Sequence, residues 1–179
     1  MAVGLPLVPS CMIVKPFVDT NILIYAYDRA AADKHHTAAL LLRSLWQQGG
    51  AILSAQVLQE FYVNVTRKIP QPLTASQTRG ILKAYCAWQL EPCTCETIML
   101  ASEVQERHQL SFWDGLILAS AAQGGAELLL SEDLNARQII EGVRIVNPFH
   151  DTDPDMHRLL RDQISESASV PYWAKSPPD

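Results

Sequence analysis

No apolar run in the sequence approaches the roughly 18 to 20 residues that a bilayer-spanning helix needs. A membrane partner is therefore not expected. Cysteine is scarce: Cys11, Cys86, Cys93 and Cys95 show no CxxC pairing, so a zinc site or a secreted disulfide framework is poorly supported and the thiols read as reduced. Positive charge is also short, 14 Lys and Arg against 19 Asp and Glu, for a net charge of −5. That balance argues against binding nucleic acid through broad basic coverage, although a local patch or bound cations still attract phosphate. The leader MAVGLPLVPS lacks a basic n-region and carries Pro6 and Pro9 in its apolar part, which makes a poor signal peptide. Cytoplasmic localisation is expected. Met12 lies immediately before the first strand-like run, and residues 1–11 read as a loose extension.

What is present is a globular composition, 48% hydrophobic and 18% charged over 179 residues, enough for one well-buried domain. Met12 to Val18 reads as a strand with Pro16 at a bulge or near its start, followed by Asp19-Thr20-Asn21, good helix-initiating residues, and a short helix over 22–27 packing Ile22, Leu23 and Tyr25 or Ala26 inward. A helix from about His35 to Gln48 carries Ala38, Leu41, Leu42 and Leu45 on one stripe and ends at Gly49-Gly50. Ala51 to Leu53 is a brief buried strand. Ser54 caps the helix AQVLQEFYVNVTRK, with Val57, Leu58, Phe61 and Val65 at helical spacing. Past the break at Ile69-Pro70-Gln71-Pro72, Thr74 and Gln77 offer a capping box for a helix reaching about Ala87, and Gln89 to Cys93 reads as a short strand. A helix from Thr94 to about His108 is expected to turn Ile98, Leu100 or Ala101, and Val104 inward. Glu127 to Leu130 is a strand, Leu134 to Glu141 a short helix stopped by Gly142, and Val143 to Val146 the last strand. Residues 150–179 form a polar tail in which Met156, Leu159, Leu160 and Ile164 are spaced for one amphipathic helix. Alternating strands and helices, with strands that read as continuous apolar runs, indicate an α/β fold with a parallel sheet covered on both faces.

The stretch SFWDGLILASAAQGG, Ser111 to Gly125, places a single carboxylate, Asp114, in the first turn of an otherwise apolar helix. Ser111 and Asp114 fit the capping-box pattern, and Leu116 to Ala122 leave almost no polar face, so this helix is expected to be buried. Asp114 is either a cap or part of a site. In open α/β sheets ligands sit outside the carboxyl ends of the parallel strands. Asp19 and Asp133 each follow a strand at that edge, and Glu60 lies on the first turns of the helix leaving the second strand, either snorkelling at the rim of its apolar stripe or pointing into a cleft. If the Asp114 helix runs antiparallel to the strands, its start is expected at the opposite edge unless the loop after His108 lifts it beside the others.

Four segments in order, FVDTNILIYAYD, LSAQVLQEFYVNVTRK, LSFWDGLILASA and LLLSEDLNARQIIEGVRIVNPF, give the chain a resemblance to the PIN-domain family, particularly the toxin ribonucleases of bacterial toxin–antitoxin pairs. It spans roughly residues 12–149. The resemblance implies a three-layer α/β/α sandwich with strand order 3-2-1-4-5, RNA as substrate, a cognate antitoxin and a homodimer, for which the Pro70 to Trp88 region offers apolar surface. It puts Asp19, Glu60, Asp114 and Asp133 on the acidic positions of the family's metal site, with Asn21 and Ser131 as supporting polar residues. Two departures stand out: Gly115 where an alanine is expected, which should loosen the helix start, and Arg137 where a glycine is expected, placed to touch RNA or limit access.

Oxygen-only ligands suit a hard cation, Mg2+ or Mn2+, and such ions activate a water and polarise a phosphodiester without a protein nucleophile. Asp19 and Asp114 are the expected main ligands, Glu60 a ligand or water-orienting base, and Asp133 an outer or second-ion ligand. Arg67 and Lys68 are either C-terminal capping residues or RNA contacts. His35-His36 reads as solvated, because no third ligand accompanies it. Trp46, Trp88 and Trp113 read as core or interface, and Ser54 and Ser111 as caps. Two other classes compete with the nuclease: a PIN-like module that binds RNA or protein without cutting, and a dehalogenase-like hydrolase using Asp19 as nucleophile. The latter requires a second Asp where this chain has Asn21.

Overall fold

A computed structural model of the chain describes residues 15–150 together with Met156 and Leu159. Its centre is a six-stranded sheet of β1 (Phe17–Val18), β2 (Ile52–Ser54), β3 (Gln89–Glu91), β4 (Leu128–Leu130), β5 (Ile139–Ile140) and β6 (Val143–Val146), in the order β3-β2-β1-β4-β6-β5. All pairs are parallel except β5 with β6. Successive strand residues face opposite sides of a sheet, so the burial of both Phe17 and Val18, both Leu129 and Leu130, and both Ile145 and Val146 means that both faces are covered. The expected order 3-2-1-4-5 is met by β3-β2-β1-β4-β6.

The remaining strand replaces the helix expected over Leu134 to Glu141. Glu141 and Gly142 have φ of 51° and 79°, the two left-handed residues of a tight hairpin turn, and Ile140 pairs with Val143 across it. The sequence Glu-Gly is not the usual Asn-Gly or Asp-Gly signal, and a glycine at 142 reads equally well as a helix stop.

The helices are α1 (Thr20–Tyr25), α2 (Asp33–Gln47), α3 (Ala55–Arg67), α4 (Ala75–Tyr85), α5 (Cys95–His108) and α6 (Phe112–Gln123). Their starts follow their capping chemistry. Ser54 Oγ accepts the Val57 N–H, and Thr74 with Gln77 closes a full capping box, as does Thr94 with Thr97. The stripe of α2 is buried at Ala38, Leu41, Leu42 and Leu45. On α5, Ala101 and Val104 point inward, but Ile98 is exposed: Thr97 takes the inward position and donates its hydroxyl to Gln123 of α6. Trp46 stacks with Tyr85 and Trp88 meets Tyr85 edge to face at the core, whereas Trp113 is 62% exposed and lies outside it. Tyr85 and Trp88 turn inward, so the Pro70 to Trp88 region presents less apolar surface than its sequence suggests.

Helix α6 is buried from Gly115 to Ala121, as its composition demands. A Cβ on Gly115 would lie 2.6 Å from the Ala101 carbonyl oxygen. Gly115 therefore admits the backbone of α5 rather than loosening the helix start. The expected extension over residues 1–11, the first strand's Met12 to Val14 and most of the tail helix lie outside the described residues. Of that helix, Met156 and Leu159 are helical and buried, and the Leu159 carbonyl accepts from Ser44 and Gln48 of α2.

Candidate active site

Strand order reverses at β1, whose neighbours β2 and β4 lead to opposite sides of the sheet. The crevice beyond the carboxyl ends at such a reversal is the natural ligand position in this architecture. Asp19 directly follows β1 and Ser131 directly follows β4, and the Asp19 N–H donates to the Leu130 carbonyl at 3.0 Å. The two chain ends leaving the sheet are thereby fixed side by side.

Asp19 is the N-cap of α1, with Oδ1 accepting the Thr20 N–H at 2.6 Å and Oδ2 accepting the Ser131 hydroxyl at 2.7 Å. Ser131 Oγ also accepts the Asp133 N–H at 3.3 Å, so one hydroxyl ties Asp19 to the turn after β4. Thr20 donates its hydroxyl to Glu60 Oε2 at 2.8 Å, and Asn21 donates Nδ2 to Asp133 Oδ2 at 2.6 Å. The run Asp19-Thr20-Asn21 thus contributes one acid and one donor to each of two further acids. Glu60 is held on its other oxygen by Gln56 Nε2, one turn earlier on α3, at 2.9 Å. Thr20 and Gln56 are partners that the sequence reading missed. Their signals were the hydroxyl inside Asp-Thr-Asn and the four-residue spacing from Gln56 to Glu60.

Asp19 is only 9% exposed, and its carboxyl is raised from about 3.8 to about 6. Burial is the largest cause; the Ser131 and Thr20 hydrogen bonds pull the other way, and the Asp133 and Glu60 carboxylates push it further up. Asp19, Glu60 and Asp133 therefore form one electrostatic unit.

Asp114 is less closely joined. Ser111 Oγ accepts the Asp114 N–H at 3.1 Å and donates to Asp114 Oδ2 at 2.8 Å. The carboxylate takes the Ser111 hydroxyl and not the Ser111 N–H, so only half of the expected capping box forms. No hydrogen bond links Asp114 to the other acids, and among the described residues no three acid, imidazole or thiol groups stand close enough to enclose an ion. The expectation that an antiparallel helix would start at the wrong edge is corrected by topology. Gly124, which ends α6, packs on Ile52, the first residue of β2, and on the Glu91 side chain, its carbonyl accepts from Gln89, the first residue of β3, and a connection of four residues leads from there into β4. The C-terminal end of α6 is at the amino edge, and its first turn points toward the carboxyl edge that carries Asp19.

Arg67 and Lys68 end α3, about 10 Å along the helix from Glu60 at 1.5 Å per residue. Arg137 is exposed with φ of 72°, a conformation that glycine adopts at no steric cost, which accounts physically for a glycine being expected there.

The PIN-domain family model matches residues 17–141. The chain belongs to the PIN-domain family. Structures similar to this PIN domain include a toxin–antitoxin complex from Klebsiella pneumoniae, at 18% identity and TM-score 0.56, covering 75% of this chain and 98% of that one. Another is VapC20 of Mycobacterium tuberculosis, described as a sarcin-ricin loop cleaving toxin, at 22% identity and TM-score 0.52, with coverage of 66% and 90%. A DNA-bound VapBC from Salmonella typhimurium follows at 15% identity and TM-score 0.51, with coverage of 74% and 97%. At these identities the likeness is one of fold. No curated protein sequence matches the chain.

Proposed function

We propose that this PIN domain is a metal-dependent endoribonuclease that hydrolyses RNA phosphodiesters through an activated water, and that it is the toxin of a toxin–antitoxin pair. The observation that carries this reading is Asp19: a buried carboxyl raised to about 6, facing Glu60 and Asp133 at the sheet's switch point. Negative charge gathered in that way favours a bound cation. All the donors there are oxygens, which fits Mg2+ or Mn2+ holding much of its water shell, and neither a thiol nor an imidazole stands among them.

When bound, such an ion supplies Lewis acidity toward a phosphodiester oxygen and a more acidic water. The chain's own contribution is to bind and orient. Asp19 and Asp114 serve as ligands, Asp19 fixed by Thr20 and Ser131. Glu60, oriented by Thr20 and Gln56, is a ligand or takes the proton of the attacking water. Asp133, held by Asn21, acts as an outer or second-ion ligand. Arg67, Lys68 and Arg137 are the nearby candidates for backbone contact with RNA. The antitoxin partner and a homodimer come with the toxin reading and the toxin–antitoxin complexes among the similar folds.

A binding module without cutting is the second reading. It is favoured by Asp114, which shares no hydrogen bond with the other acids. Incubation of purified protein with a structured RNA, with Mg2+ or Mn2+, beside EDTA and beside Asp19→Asn, separates the two. Cutting that needs both the metal and Asp19 supports the nuclease; metal binding without cutting favours the module.

A further inference from the structure

The turn Ser131-Glu132-Asp133 carries more than its two site residues. Glu132, between them, reaches the start of α2, where its Oε1 accepts a hydrogen bond from Lys34 Nζ. The ammonium group also donates to the Tyr25 hydroxyl at 3.5 Å and lies 4.9 Å from the Tyr25 ring centre and 5.6 Å from that of Phe149. Those rings meet edge to face at 5.4 Å, and His35 Nδ1 donates to the Tyr25 carbonyl at 2.9 Å. Lys34 is thus seated by two aromatic side chains from the far ends of the fold, in the orientation in which ring faces attract cations.

Glu132 needs this cation. Its other oxygen, Oε2, is buried without a hydrogen bond among the described residues, and the Tyr25 phenol is raised first by burial and then by the Glu132 carboxylate beside it. A half-buried carboxylate that loses its ammonium partner gains by turning out to water. The turn that carries Glu132 is bonded to the site through both of its neighbours. Ser131 on one side bonds Asp19, and Asp133 on the other bonds Asn21.

We propose that Lys34 is a positioning residue, which through Glu132 clamps the 131–133 turn and so sets the placement of Asp133 and of the Ser131 hydroxyl on Asp19. What the clamp serves rests on the metal-dependent reading above. The Lys34 side chain is 41% exposed, and such a pair by itself is worth little; what gives it weight is that its ends are held by two rings on one side and by a turn bonded to the site on the other. Loss of a group that orients ligands costs about 10- to 100-fold in metal affinity or activity.

The test compares Lys34→Met, which keeps the stem over the rings, with Glu132→Gln, the double variant and Lys34→Arg. Half-saturating Mn2+ is read from thermal unfolding, and kcat and KM from RNA cleavage. Lys34→Met is expected to raise half-saturating Mn2+ or lower kcat about 10- to 100-fold with KM unchanged. Glu132→Gln and the double variant should fall to the same level, and Lys34→Arg should restore most of the loss. Wild-type Mn2+ affinity and kcat in Lys34→Met would overturn the clamp. So would a loss of kcat/KM that persists in the Glu132→Gln background with raised KM and a weaker salt dependence, which means that Lys34 touches an RNA phosphate directly. Wild type that binds Mn2+ but cuts no RNA overturns the ribonuclease reading alone, and the clamp is then decided by half-saturating Mn2+. Wild type that ignores Mn2+ overturns both.

Discussion

Asp19→Asn without metal should make this protein more stable at neutral pH, against the usual expectation for a buried polar residue. A carboxyl raised in the folded state binds its proton more tightly there than in the unfolded chain. Its contribution to folding is therefore fully present below the unfolded value near 3.8, is withdrawn as pH climbs through about 6, and is absent above it. A rise from 3.8 to about 6, at about 1.4 kcal/mol per pH unit, amounts to about 3 kcal/mol. For a chain of this size that is about 6–12 °C in Tm. The amide keeps an oxygen for the Thr20 N–H, and Ser131 Oγ turns to accept from its NH2 group, so little hydrogen bonding is lost. The assay is thermal unfolding of both proteins in EDTA at pH 4 and pH 7.5. Taking the difference cancels the groups that do not sense the Asp19 charge. The Asn variant should match wild type at pH 4 and exceed it by several degrees at pH 7.5. An equal difference at the two pH values, or a variant less stable at pH 7.5, would refute the electrostatic reasoning.

Gly115→Ala should destabilise the protein by about 1–3 kcal/mol despite the better helix propensity of alanine, because its Cβ would press on the Ala101 carbonyl; urea unfolding checks this, and a higher midpoint would contradict it. Ala32, with φ of 50° just before α2, should gain about 1 kcal/mol on replacement by glycine, seen as a rise of about 2–4 °C in Tm. Ser131→Ala removes a buried bond to Asp19 and the acceptor of the Asp133 N–H, so stability should fall by about 1.5–3 kcal/mol and RNA cleavage should fall with it.

Local chemistry made most of the helices legible. Ser54, Thr74, Thr94 and Ser111 each announce a helix start because a side-chain oxygen there meets a free backbone N–H. The β5–β6 hairpin was not legible, since Glu141-Gly142 adopts a left-handed turn that its composition does not advertise and Gly142 reads equally well as a helix stop. Asp19, Glu60 and Asp133 could be placed at one edge by counting strands. The direction of α6 could not, because it is set by the packing of Gly124 on Ile52 at the opposite edge and by the short connection into β4. The Lys34–Glu132 contact joins residues far apart in sequence and leaves no local trace. The role of Gly115 is likewise set by α5 approaching α6, a property of the packing and not of its neighbours in the chain.

The most direct test of the central claim is a Mn2+ titration followed by thermal unfolding at pH 7.5, for wild type and for Asp19→Asn. At about a hundred times its dissociation constant, a bound ion adds about 2.7 kcal/mol, and wild type should rise by about 5–11 °C while Asp19→Asn stays where it was. A wild-type Tm that Mn2+ leaves unmoved, or an equal rise in both proteins, would contradict the claim that Asp19 and its neighbouring acids hold the ion with which this PIN domain works.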